Sequence, residues 1–271
     1  MAEFNEKQIH NEIAILVKNK ELDLTKVAVD RITKYVKILD LLISNNTFDL
    51  VISGGNSGLY CTRIVELIYE IKKIEKPLIF SIPAYRHNKK YEIETKGKLF
   101  DNSSLVSYVD KKISNNLKMQ KVLFVDDEIQ TGTTAKNTID LIIKAKNISS
   151  TIEYTLVAEN HFFEWRHGIE NIDLRYFASA KVLPGYNNLL AFIVPRDVYT
   201  KIAEILNREV MLHSYAFALL TSGLVKDRGN GKPYYDDTKE KTVIANYPKY
   251  ISEKEKLNKD LKNLIERILN E

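Results

Sequence analysis

Asp126-Asp127-Glu128 closes the apolar run Val122-Leu123-Phe124-Val125 and is followed by Ile129-Gln130-Thr131-Gly132-Thr133-Thr134. Two kinds of chemistry are joined here. The turn can wrap a monophosphate, because its backbone N–H groups converge, Gly132 lacks the Cβ that would block close approach, and threonine hydroxyls add donors at the positive end of a following helix. Asp126 and Asp127 cannot bind that phosphate, but at its rim they can accept hydrogen bonds from the vicinal hydroxyls of an attached ribose. A second cluster, Ser53-Gly54-Gly55-Asn56-Ser57-Gly58, also ends an apolar run. Its spacing does not match the G-x-G-x-x-G of dinucleotide sites, so by itself it reads equally well as a tight strand-to-helix turn or as a phosphate contact.

The elements that must position these residues follow from periodicity. Glu6 to Asn45 has Ile, Leu and Val at three- and four-residue spacings without Gly or Pro, which predicts helices. Short apolar runs at Asp49 to Ser53, Leu78 to Ile82, Lys121 to Val125 and Ile152 to Ala158 predict strands. Helices are expected between them, one bearing Leu59, Cys61, Ile64, Leu67, Ile68 and Ile71, another Ala135, Thr138, Ile139 and Ile142. Strands alternating with helices predict an α/β protein with a mainly parallel twisted sheet covered on both faces, whose ligands bind beyond the carboxyl ends of the strands. The polar stretch Tyr85 to Met119 reads as a long loop of the kind that serves as a lid. Further strands are expected at Leu174 to Ala178 and Leu190 to Val194, an exposed loop at Asp227 to Asp237, and an amphipathic helix over Glu253 to Glu271. This divides the chain into an N-terminal helical segment (1–47), a core (48–198) and a C-terminal helical extension (199–271).

A hydrophobic strand, two acids, a few variable residues and Thr-Gly-x-Thr resemble the signature of the type I phosphoribosyltransferases, and order and spacing agree from Asp49 to Ala158. The resemblance implies that fold, binding of 5-phosphoribosyl 1-pyrophosphate with Mg²⁺, and transfer of ribose 5-phosphate to a nitrogen nucleophile with release of pyrophosphate. It assigns the 5-phosphate to Ile129, Gln130, Thr131, Gly132, Thr133 and Thr134. Pyrophosphate falls to Ser53 through Gly58 and to Lys89 and Lys90 of the family's flexible loop, which opens at Tyr85-Arg86-His87-Asn88. Asp126, Asp127 and Arg86 become the catalytic set, with Mg²⁺ held near Asp126 and Asp127 through water. The stretch Tyr176 to Tyr186 is similar to the base-binding segment of 6-oxopurine enzymes, in which Phe177 would stack on a base and Lys181 meet its exocyclic oxygen. One departure stands out. Those enzymes place an aspartate just before Thr-Gly, where this chain has Gln130, and an amide cannot take the nucleophile's proton. The wording around Asp126 also resembles uncharacterised bacterial members found beside stress and tellurite-resistance genes. A second function of the same fold is therefore carried forward: a regulator or effector that senses the ligand without transferring it.

Other readings compete. Asp126-Asp127-Glu128 also resembles the first-strand acid cluster of response-regulator receivers, which needs another aspartate at a later strand end. Asp173 is the one candidate, but it precedes its apolar run, and this reading leaves Thr131 to Thr134 without a role. Phe162, Phe163 and Trp165 read as core or interface aromatics. Five histidines show no paired ligand spacing, and a single cysteine permits no intrachain disulfide, which fits a reducing cytoplasm. No apolar run approaches the roughly 20 residues needed to span a bilayer. A net charge of +4, from 40 basic and 36 acidic residues, is no footprint for nucleic acid. The expected partners are the phosphoribosyl donor and a small-molecule acceptor, with a homodimer as the default assembly.

Overall fold

Helices and strands form where the apolar spacing demands them. The computed structural model describes residues 24–83, 103–115, 117, 119–129, 133–147, 152–160, 179–184, 194–207, 212–229 and 232–271. In chain order the elements of the core are α1 (Leu24–Asn45), β1 (Leu50–Gly54), α2 (Gly55–Lys72), β2 (Leu78–Ile82), α3 (Ser103–Lys112), β3 (Lys121–Ile129), α4 (Thr133–Lys146), β4 (Glu153–Asn160) and β5 (Ser179–Pro184). After them come α5 (Arg196–Ile205), α6 (Leu212–Ser222), β6 (Val225–Gly229), β7 (Lys232–Asp236), α7 (Thr238–Asn246) and α8 (Tyr250–Asn270).

Strands β1 to β5 form one sheet in the order β2-β1-β3-β4-β5, and all four pairings are parallel. Side chains alternate between its two faces, as the pleat requires. Leu50, Ile52, Val122, Phe124, Leu156 and Ala158 join Leu105 and Val109 of α3 and Ala135, Ile139 and Ile142 of α4 in one cluster. Val51, Leu123, Val125 and Val157 face the other way, into a cluster shared with α1, α2, α5, α6, α7 and α8. The expected α/β class with helices on both faces is thus present. Residues from all three predicted segments meet in that second cluster: Ile32, Val36 and Leu39 of α1 and Leu257, Leu261 and Ile265 of α8 lie in it with Val51 and Ile64. Each such side chain contributes on the order of 1.5–3 kcal/mol when fully buried, so the terminal helices are integral to the layer that supports α2.

Four local expectations change. Helix α2 begins at Gly55, so most of the glycine cluster is its first turn and not a loop before it. The stretch expected as a lid contains α3, whose Leu105 and Val109 are buried one turn apart on the sheet. So few apolar positions leave little periodic signal in a polar run. Asp227 to Asp237 is no exposed loop: β6 and β7 pair antiparallel, and Val225 and Asp236 are buried. The Asn230-Gly231 pair between them is the strongest short-range hairpin signal, and the surrounding polar residues obscured it. Finally, β3 runs past Val125 to Ile129, carrying both aspartates within the strand. The expected strand at 174–178, and all of that at 190–194 except Val194, lie outside the described residues; β5 at Ser179–Pro184 was not among the expected strands.

Candidate functional site

The strand order reverses direction between β1 and β3, since β2 lies on one side of β1 while β4 and β5 follow β3 on the other. A crevice at the carboxyl ends of strands flanking such a switch is where open α/β sheets bind ligands. Pairing between β1 and β3 ends at Ile52 and Phe124, whereas Ser53 and Gly54 pair only with Ser81 and Ile82 of β2. Beyond Phe124, β3 continues beside β4, and the register shifts between Val125 and Glu128. Two residues, Asp126 and Asp127, therefore oppose one on β4. That is a β-bulge, a device that bends a strand and re-aims its side chains at the edge of a site.

Asp126 is 7% exposed. Its Oδ1 accepts the backbone N–H of Asp127 at 3.0 Å and the hydroxyl of Ser57, across the crevice, at 3.4 Å. From below, the Tyr35 hydroxyl of α1 is shared between the carbonyls of Asp126 (3.2 Å) and Val157 (3.4 Å), which ties β3 to β4 at the bulge. Burial, and then the neighbouring Cys61 and the two aspartates, hold the Tyr35 phenol well above its ordinary range. Burial also pushes the Cys61 thiol up, with Asp127 and Asp126 adding to it, so this cysteine stays protonated and is no nucleophile. The floor of the site, formed by the Tyr35 phenol and the Cys61 thiol, is neutral.

Across the crevice, α2 enters through Gly54 in an extended conformation and Gly55 at φ +73°, where only glycine is unstrained. The N-cap is Gly54, which has no side chain to cap this end, so the first-turn amides, the positive pole of the helix, receive no cap from it. Gly58 has a packing reason: a Cβ there would lie 2.4 Å from Ser53 Oγ. The Ser53 hydroxyl is fully buried and has no hydrogen-bond partner among the described residues. The Gly55 carbonyl accepts from Ser81 Oγ (3.1 Å) and from Tyr235 of β7 (3.0 Å). Asn56 Oδ1 accepts the backbone N–H of Lys226 on β6, which commits that oxygen to the hairpin.

The structure gathers Ser53, Gly54, Gly55, Asn56, Ser57, Gly58, Asp126 and Asp127 at one edge. Thr133 and Thr134 open α4 directly after β3, and Lys181 sits on β5 in register with Val157. Arg86, Lys89, Lys90, Gln130, Thr131, Gly132, Phe177 and Asp173 lie outside the described residues, and of Ile129, Thr133 and Lys181 only the backbone is described. Comparison with family models, with curated proteins and with solved structures returns no match.

Sequence reasoning missed Tyr35, Ser81, Tyr108, Lys226 and Tyr235. Tyr235 also donates to Ser81 Oγ at 2.7 Å, and the Tyr108 hydroxyl donates to the Ser81 carbonyl at 3.3 Å. None of the five had a motif to reveal it. As donor sets go, two adjacent carboxylates suit Mg²⁺ that arrives on a substrate's phosphates, because that ion takes one or two carboxylates and keeps water or phosphate oxygens elsewhere. No group of three or more His, Cys, Asp or Glu able to hold a metal ion occurs among the described residues.

Proposed function

We propose that this protein is a phosphoribosyltransferase of the type I fold that binds 5-phosphoribosyl 1-pyrophosphate with Mg²⁺ and transfers ribose 5-phosphate to a nitrogen nucleophile. The observation that carries the reading is the seating of two carboxylates on a β-bulge at the switch point, across a crevice from an uncapped helix start. A phosphorylated sugar bearing a pyrophosphate needs acceptors for its hydroxyls and donors for its oxygens a short distance apart. Asp126 and Asp127 supply the former. The first turn of α2 supplies the latter, and the resemblance assigns the 5-phosphate to Ile129 through Thr134.

In the transfer, the acceptor nitrogen forms a bond to C1 of the ribose as the C1–O bond breaks, and pyrophosphate leaves with the electron pair. Positive charge builds on the sugar, and Asp126 and Asp127 would stabilise it. Bound Mg²⁺ supplies positive charge against the leaving group. The α2 dipole acts in the same sense through the Asn56, Ser57 and Gly58 amides. The acceptor's proton leaves to water, since Gln130 is an amide. Gln130 is also the feature that favours the second reading, a sensor of the same ligand without turnover.

Incubation with the donor, Mg²⁺ and a panel of bases and amines, followed by pyrophosphate release, tests this. Release should require an acceptor, and the D126N/D127N variant should lose it by at least about a hundredfold, the scale of a lost electrostatic contribution. Tight binding without release for any acceptor selects the sensor. Failure of the native chain to bind the donor overturns both.

A further inference from the structure

We infer that the C-terminal hairpin is part of the anion site: Tyr235, together with Ser81, positions the Gly55–Asn56 peptide so that the Asn56 N–H is presented to the donor's pyrophosphate. The inference rests on the reading just given and adds to it a positioning residue from a segment outside the resemblance.

A residue at φ +73° can carry its following peptide in two orientations, one with the carbonyl toward an incoming anion and one with the N–H toward it. In a trans peptide the two groups point in opposite directions. The Ser81 and Tyr235 hydroxyls share a 2.7 Å hydrogen bond and lie 3.1 and 3.0 Å from the Gly55 carbonyl, so this pair donates to the carbonyl as a unit and turns the Asn56 N–H away from β2 and the hairpin. The residues that follow are held as well. Asn56 Oδ1 is bonded to the N–H of Lys226, and Ser57 Oγ donates to Asp126. Each of three consecutive positions is therefore anchored through its carbonyl or side chain, and the amides of the first helical turn, which have no acceptor four residues back within the helix, are the donors this arrangement offers to a ligand. This is the preorganisation that electrostatic stabilisation requires. Under the same turn, against Gly58, the Ser53 hydroxyl is fully buried and without a partner among the described residues.

Tyr235 is itself fixed. Tyr108 of α3 meets it edge-on, with ring centroids 6.5 Å apart, and bonds to the Ser81 carbonyl. Burial is the largest cause holding its phenol above the ordinary tyrosine range, and the charge of Asp126 acts in the same direction. The hydroxyl therefore stays protonated and keeps donating. No local requirement of a hairpin calls for a half-buried tyrosine whose hydroxyl reaches Gly55 and Ser81, 180 and 154 residues away in the chain.

The test is isothermal titration of the full chain with three ligands: the phosphoribosyl donor with Mg²⁺, pyrophosphate with Mg²⁺, and ribose 5-phosphate. Y235F keeps the ring and its packing. It should weaken the donor and pyrophosphate about 5–10-fold, the scale of one hydrogen bond, and leave ribose 5-phosphate within about twofold. S81A should show the same ligand pattern, and the S81A/Y235F variant, which frees the Gly55 carbonyl, the largest loss. Parallel loss for all three ligands would make Tyr235 merely structural and overturn the inference. So would pyrophosphate affinity unchanged in both single variants, or a native chain that binds ribose 5-phosphate but not pyrophosphate. A native chain that binds none of the three overturns the proposed function and this inference with it.

Discussion

At Gly58 a single methyl group probes the contact that holds the first turn of α2 against the sheet. An added Cβ would lie 2.4 Å from Ser53 Oγ, 2.7 Å from Ser53 Cβ and 3.1 Å from Ser81 Oγ, where ordinary contact begins at 3.4 Å. The Ser53 hydroxyl can swing to another rotamer, but its Cβ is rooted in β1. Helix α2 must then lift by about 0.7 Å, the shortfall at that carbon. Overpacking of this kind costs about 1–3 kcal/mol. In urea denaturation G58A should show a lower midpoint with an unchanged slope. Because Ser53 Cβ is the atom that cannot move, S53A in the G58A background should recover little, while S53G should recover most of the loss. That recovery is net of the roughly 0.5–1 kcal/mol that glycine costs inside a strand. Equal rescue by S53A, or a coupling between G58A and S53G below about 0.5 kcal/mol, would refute the contact as the cause. A lifted turn also moves its amides from the crevice, so donor affinity should fall with stability.

The C-terminal layer and the buried phenols give two more tests. Gly223, which follows α6 at φ +75°, would place a Cβ 2.2 Å from a Glu240 oxygen, and that carboxylate is held by Tyr250 and Lys254. G223A should therefore destabilise the chain by about 2–4 kcal/mol, from left-handed strain plus the displaced carboxylate. A thermal midpoint lowered no further in G223A than in a surface Gly→Ala control would count against this. Tyr35, Tyr60, Tyr250 and Cys61 are all raised above their ordinary values of 10.0 and 9.0, with burial as the largest cause. Above those values the unfolded chain has lost protons that the folded chain retains, so stability falls as pH rises. It should be level up to about pH 9 and then decline by up to about 1.4 kcal/mol per pH unit for each group. Tyrosinate absorbance should appear in two phases, the second coincident with unfolding. A single phase centred near 10.0, with the fold intact, would show that these phenols are not buried.

Much of the site was readable because its residues sit where a local pattern changes. Asp126 and Asp127 end a run of apolar β-formers, and two carboxylates at the close of a buried strand have few structural reasons to be there. Ser53 to Gly58 carries the same kind of break. The bulge that lets both acids share one edge was hidden, because it depends on β4 offering a single residue opposite them. The meaning of Gly58 was also hidden. In the sequence it is one of three glycines available to a phosphate, whereas in the structure its missing Cβ is what lets α2 rest on Ser53. Helix α3 and the β6–β7 hairpin escaped notice because each buries few side chains, and a periodicity of two or three residues cannot be told from a polar loop.

By itself the sequence determined what depends on neighbours within a turn or a strand: where the strongly apolar helices and strands β1 to β4 form, and that acids and glycines stand at strand ends. Strand order, the opening between β1 and β3, and the arrival of Tyr35 and Tyr235 at the site belong to the tertiary structure. Tyr35 bonds to a carbonyl 91 residues away and Tyr235 to one 180 residues away. Such contacts leave no trace in local composition, because a tyrosine's conformational preferences are the same whether its hydroxyl meets water or a distant backbone. Only the packing of both helical layers on the sheet brings those partners within reach.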